Sequence, residues 1–363
     1  MIGQRKDDHV RLAVEQQRDH SGRNQFDEVS FVHHALAGID RPDVSTATTF
    51  AGISWQVPLY INAMTGGSAR TGVINRDLAV AARETGVPLA SGSMSAYFKD
   101  PSCADTFSVL RTENPDGFVL ANVNATASVE QARRAVDLLR ADALQIHINT
   151  VQETVMPEGD RSFSSWVPQI EKIAAGVEVP VIVKEVGFGM SRETVLTLRD
   201  LGVRAADLGG RGGTNFAAIE NGRREFADYA YLRGWGLSTP ASLLDTQDAG
   251  IPVLASGGVR DPLDVARALA LGARAVGASG GFLRTLMDSG VPGLIEQIST
   301  WLDHLAALQT MLGARTPTEL THCDLLIHGE LRAFCADRGI DTRPFARRSR
   351  SAEALHELTG STR

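Results

Sequence analysis

GFVLANVNATASVEQARRAVDLLRADALQIHIN (117–149) holds a complete strand–helix–strand unit. Two short apolar runs, GFVLANVN (117–124) and ALQIHIN (143–149), flank VEQARRAVDLLR (129–140), whose apolar positions recur with helical period. Ser128 stands where an N-cap belongs. Strands joined through a helix pair in parallel, because parallel neighbours need a long crossover and the helix supplies it.

The same unit repeats along the chain. Further apolar runs that end in glycine, serine, asparagine or charge are PLYINAM (58–64), PLASGSM (88–94), PVIVKEV (180–186), AADLGG (205–210), PVLASGG (252–258) and AVGASGG (275–281). ETVLTLRDLG (193–202) follows Ser191 and stops at Gly202; PLDVARALALGA (262–273) has Asp261 as cap, Pro262 at its first position and Gly272 as its stop. Eight strand–helix repeats predict a (β/α)8 TIM barrel, an α/β fold. A doubly wound open sheet would show GxGxxG after its first strand, where this chain reads NAMTGGS. The expected organisation is an N-terminal extension over the barrel mouth (1–57), the barrel (58–290), C-terminal helices (291–342) and a mobile tail (343–363), the last from its run RPFARRSRS.

Composition narrows the function. With 363 residues, 43% hydrophobic and 22% charged, the chain is ordinary globular protein. A net charge of −7 gives no general attraction to nucleic acid. No apolar run is long enough to span a membrane, the first twenty residues are too polar for a secretory signal, and three cysteines lack metal spacing. These features point to a cytoplasmic protein with no membrane or nucleic-acid partner.

Barrel active sites gather where the strands end. DLGGRGGTNF (207–216), ASGGVRDP (255–262) and GASGGF (277–282) follow strands six, seven and eight, and glycines there let backbone N–H groups close on an anion. Thr214 adds a hydroxyl and Arg260 a cation, so the three turns predict a phosphate site. Such a phosphate is often one end of flavin mononucleotide. Ala63, Met64, Thr65, Ser93 and Asn122 end or lie on the first three strands and suit a flat polar ring. Lys184 lies inside a core strand, where an unpaired charge is very costly. Adjacent strand residues face opposite ways, so Glu185 is a poor partner and Lys184 is expected to face the interior.

Beyond strand four the chain fills with polar groups: His147, Asn149, Gln152, Glu153, Glu158, Asp160 and Arg161. Glu153 is the candidate magnesium ligand, since Mg2+ typically takes one or two carboxylates plus substrate phosphate oxygens. His147 titrates near neutrality when unperturbed, and a satisfied core histidine is the competing reading. In QRKDDHVR (4–11), which also holds His9, Arg5 and Lys6 would clamp a diphosphate if the segment folds over the mouth.

Together these motifs resemble the type II, flavin-dependent isopentenyl diphosphate isomerases. The resemblance rests on RKDDH (5–9), INAMTGGS (61–68), QIHIN with QE and MPEGDRSF (145–163), VIVKEVGFG (181–189), GGRGGTNF (209–216), SGG (256–258) and GASGGFL (277–283). It implies a small-molecule diphosphate substrate, FMN active in its reduced form, NAD(P)H as reductant and Mg2+. By position it implies substrate contacts at Arg5, Lys6, His9 and Gln152, and catalytic roles among Gln152, His147 and Asn149. It places FMN at Ala63, Met64, Thr65, Ser93, Asn122, Lys184, Thr214, Gly258, Val259, Arg260, Ser279 and Gly280, and metal at Glu153. Met94 departs from the family's usual glutamine. The rival reading is an FMN-dependent oxidase or dehydrogenase of a small hydroxy acid on the same barrel. Apolar outer helices such as 294–312 suggest a homo-oligomer, a tetramer or octamer.

Overall fold

A computed structural model describes residues 2–18, 24–226 and 228–349, with side chains from Lys6 onward. Among these residues eight parallel strands close into a barrel: β1 (Leu59–Ile61), β2 (Leu89–Ala90), β3 (Val119–Asn124), β4 (Ala143–Ile148), β5 (Val181–Glu185), β6 (Ala205–Asp207), β7 (Val253–Ser256) and β8 (Val276–Ala278). The ring shuts where β8 pairs β1, Val276 opposite Leu59 and Ala278 opposite Ile61. Each strand is one of the eight runs read from the sequence, so the expected TIM barrel is what forms.

The capping logic holds in detail. Ser128 accepts from Gln131 N, Ser191 from Thr194 N and Asp261 from Asp264 N, starting helices Val129–Leu139, Arg192–Asp200 and Pro262–Ala270. Side-chain alternation sorts the strands into two cores. Outward residues such as Val119, Leu144 and Val183 join the helices. Inward Tyr60, Leu120, Ile182 and Leu254 fill the barrel floor, closed from below by Phe50, Ile53 and Trp55 of an antiparallel hairpin. Above that floor the inward positions turn polar: Asn62, Asn122, Gln145, Lys184, Asp207 and Ser256 are all buried.

The flanking segments depart from the expected division. Helix Gly280–Leu312 starts inside the eighth turn, ahead of the expected 291, and bends at Gly290–Pro292. The region after it contains a strand, Leu325–Ile327, which pairs antiparallel with Val29–Phe31 and so joins the two ends of the chain. Residues 343–349, expected as the start of a mobile tail, are instead held: Phe345 is buried, the Arg348 guanidinium donates to the carbonyls of Ala270 and Cys323, and Ser349 bonds Asp324. An Arg-rich stretch docks when carbonyls at a helix C-terminus and a carboxylate are there to receive it. The expectation for 350–363 lies outside the described residues. None of the helices among the described residues is long and apolar enough to cross a membrane.

Candidate active site

Two adjoining cavities open at the C-terminal ends of the strands, of about 200 and 240 Å3. Ala63, Met64, Lys184 and Phe216 line both. The first is walled by the three glycine turns and by Val10, Ala13 and Gln17 of the N-terminal helix Ile2–Arg18. The second is walled by Lys6, Ser93, Asn122, His147, Asn149, Gln152 and Glu153. The N-terminal helix thus reaches the mouth, with His9 between the two compartments. The side chain of Arg5 lies outside the described residues.

The first cavity has the chemistry of a phosphate cradle. Gly257 has φ +91°, and a Cβ there would stand 2.0 Å from the Gly210 carbonyl, so only glycine lets these two turns meet. Ser279 precedes helix Gly280–Leu312 without a side-chain cap, and Ser279, Gly280 and Gly281 line the cavity beside Gly258, Val259 and Thr214. Thr65 Oγ1 is buried in the wall with no partner among the described residues. An uncapped helix start, close-set glycines and an orphaned hydroxyl fit a nucleotide such as FMN. Arg260 lines this cavity, and its charge is shared with two carboxylates. Its guanidinium bonds Asp27 at 2.6 Å and Asp264 at 2.8 Å, and its own N–H bonds Asp264, which drives its pKa above the usual guanidinium range. Asp264 is fully buried and needs that charge.

Lys184 faces the interior, as alternation requires, and its partner is one that sequence reasoning passed over. Nζ stands 3.6 Å from Asp207 Oδ2 and donates to Ser256 Oγ at 3.3 Å and the Glu185 carbonyl at 2.9 Å. Asp207 sits directly opposite Lys184 in the β5–β6 register. Glu185 points the other way and accepts from the N–H groups of Phe188 and Gly189. Met94 is fully buried and packs into the main core, occupying the space beside Ser93.

In the second cavity the polar groups orient one another. Asn149 Nδ2 donates to Gln152 Oε1 and to Glu153 Oε1, both at 3.1 Å. Gln152 Nε2 donates to Glu220 Oε1 at 3.1 Å, so its amide has a fixed sense. Glu220, on helix Phe216–Gly222, is the member of this network that the sequence did not reveal. It is fully buried and receives Arg223 on its other oxygen, while His9 Nε2 lies 2.9 Å away and off hydrogen-bond alignment. Burial opposes its ionisation, but His9, Gln152 and Arg223 prevail and bring its pKa down to about 2. His147 moves the other way from a useful acid: burial, then the charges of Lys6 and Lys184, lower its pKa to about 3, so it is neutral at pH 7.

Glu153 accepts from Asp160 N on its second oxygen, and Glu158 and Asp160 line the same cavity. No group of three His, Cys, Asp or Glu that could hold a metal occurs among the described residues. Glu153 therefore fits a cation completed by water and phosphate oxygens, as Mg2+ prefers, and does not fit a protein-caged metal.

The chain is 77% identical over 99% of both lengths to the isopentenyl-diphosphate delta-isomerase of Streptomyces sp. (strain CL190). It is 64% identical to that of Nocardia farcinica, with 96% of this chain and 97% of the relative covered. Residues 110–326 match the FMN-dependent dehydrogenase family. Among solved structures, a mandelate oxidase variant with a monooxide FMN adduct superposes with TM-score 0.61 at 17% identity, covering 88% of this chain and 92% of that one. A flavocytochrome b2 variant with benzoylformate gives 0.62 at 21%, covering 88% and 80%. At such identities the structures speak for the barrel alone. The full-length likeness at 64–77% does more, and the chain belongs to the isopentenyl-diphosphate delta-isomerase family, in its FMN-dependent type II form.

Proposed function

We propose that this protein interconverts isopentenyl diphosphate and dimethylallyl diphosphate on FMN in its reduced form, with NAD(P)H as reductant and Mg2+ at Glu153. The observation that carries the reading is the pair of adjoining cavities, one a glycine cradle and one a polar chamber, with Lys184 in the wall of both. The cradle residues Thr65, Thr214, Gly258, Val259, Ser279 and Gly280 would hold the nucleotide, Arg260 serving to brace the seventh turn. Lys6 and His9 would meet the diphosphate from the N-terminal helix, together with Arg5. Asn149 orients Gln152 and Glu153 from one side and Glu220 holds Gln152 from the other.

Shifting a double bond by one carbon needs one proton added and another removed, with no net oxidation. The groups around Gln152 whose ionisation is displaced do not serve as its proton donor: Glu220 is ionised and His147 is neutral at pH 7, while Gln152 does not ionise. When bound, a reduced flavin supplies that proton chemistry and an electron-rich face for a cationic transition state. The residues of this chain bind, orient and exclude water around it. The oxidase alternative is not favoured. Such chemistry calls for guanidinium groups free to take a carboxylate, and Arg211 donates to the Gly234 carbonyl while Arg260 is fully engaged.

All three cysteines are free thiols, which supports a reducing, cytoplasmic setting. Exposed Met287 and Met311 on helix Gly280–Leu312 support self-association into a homo-oligomer, a tetramer or octamer. The deciding assay is anaerobic incubation of the FMN-loaded protein with NADPH, Mg2+ and isopentenyl diphosphate. Dimethylallyl diphosphate should form, followed by proton NMR, with no NADPH consumed beyond the amount that first reduces the flavin. No product under these conditions would refute the reading.

A further inference from the structure

The polar layer of the barrel contains a chain of side-chain hydrogen bonds whose direction follows from its ends. Asp207 anchors one end. Its Oδ2 lies 2.7 Å from both Tyr60 Oη and Asn62 Nδ2, and Oδ1 lies 2.6 Å from Ser256 Oγ. Asn62 is oriented independently, because the N–H of Ala63 donates to its Oδ1 at 2.7 Å and a backbone N–H is never an acceptor. The Asn62 oxygen therefore also faces Gln145, whose Nε2 donates at 3.2 Å. That leaves Gln145 Oε1 turned to Asn122 Nδ2 at 2.8 Å, and Asn122 Oδ1 turned to His147 Nδ1 at 2.8 Å. Turning Gln145 over would set oxygen against oxygen at Asn62 and donor against donor at Asn122, and turning Asn122 over would set its oxygen against that of Gln145.

We propose that Asn62, Gln145 and Asn122, anchored on Asp207, are positioning residues that hold His147 as the tautomer protonated at Nδ1, so that Nε2 faces the cavity as a hydrogen-bond acceptor. Asn62, Gln145, Asn122 and Asp207 are all buried, so solvent does not compete for the bonds among them. The charges bearing on the imidazole are Lys6 and Lys184, with the Val123 carbonyl acting in the opposite sense. Both cations disfavour a second proton on the ring. A neutral acceptor takes a hydrogen bond from a ligand O–H or N–H and turns away a bare phosphate oxygen. A diphosphate oxygen can lie against Nε2 only if a proton is added there. That role toward a substrate rests on the isomerase reading; the tautomer does not.

The test is a solid-state nitrogen-15 spectrum of the FMN-loaded protein labelled at histidine, with His147 assigned by difference from His147→Asn. At neutral pH the expected spectrum has a protonated-type signal for Nδ1 and a lone-pair-type signal for Nε2. Gln145→Met cuts the chain while leaving Asn122 and His147 in place; the tautomers should then mix and the two signals converge. A proton on Nε2 in the parent protein overturns the proposal, as does a Gln145→Met spectrum identical to the parent's. Should Gln145→Met fail to fold, the parent spectrum decides alone. A parent protein with the Nδ1–H form but no isomerase turnover would refute the functional reading and leave the chain standing.

Discussion

Replacing Asp207 by asparagine removes the one carboxylate that, among the described residues, pairs with Lys184 in the barrel. The two groups are 3.6 Å apart and both buried, which at an effective dielectric of about 20 corresponds to roughly 4–5 kcal/mol of attraction. Orphaning one partner of a buried pair typically costs about 3–5 kcal/mol, the same range. Lys184→Met is the milder change. It leaves the Asp207 carboxylate with three neutral donors, Tyr60, Asn62 and Ser256, and should cost only about 1–2 kcal/mol. With an unfolding entropy of roughly 2 cal/mol/K per residue, the asparagine variant should melt about 4–6 °C below the parent, and the methionine variant about 1–3 °C below. Calorimetry of the flavin-free proteins isolates this effect, since bound ligand would add its own stabilisation. The reasoning fails if Asp207→Asn melts within 1 °C of the parent, or if Lys184→Met is the more damaging change.

Glu220→Gln should lower kcat/KM about 10- to 100-fold at saturating FMN, the worth of a charge-assisted hydrogen bond to Gln152; steady-state kinetics would show it, and an unchanged value would count against the positioning role. Arg260→Met should destabilise by about 2–4 kcal/mol in denaturant titration, because buried Asp264 loses its main partner, while the FMN dissociation constant moves only a few-fold. Stability should also fall with acid. The imidazole of His147 has its pKa depressed in the folded state, so its contribution is complete above the unfolded value near 6.5 and declines as pH drops toward 3. Urea midpoints measured across that window should fall less steeply for His147→Gln than for the parent.

The barrel was legible because its evidence is local. Each strand carries its own apolar run and each of three helices its own cap, so period and punctuation suffice from Leu59 to Ala278. The glycine turns were legible for the same reason. What escaped depends on pairing across the fold. Asp207 lies in AADLGG, read as the sixth strand, and the rule that a buried charge needs a partner was applied to Lys184 without reaching it. Arg260 looked like a phosphate cation, and nothing in its own run shows that Asp27 and the buried Asp264 share its charge. Glu220 had no local signal, being one acid in a short helix whose meaning comes from Gln152, 68 positions earlier. The ribbon between Val29–Phe31 and Leu325–Ile327 is more distant still.

That ribbon sets an order of events during synthesis. All eight barrel strands have been made by Ala278, but Leu325–Ile327, the partner that pins the first segment of the chain, comes almost fifty residues later. A ribosome-bound chain can close its cylinder well before it can fasten the segment behind its opening helix. Shortening the protein from its carboxyl end should therefore uncouple the earliest-made residues first, leaving a folded cylinder whose entrance is unguarded.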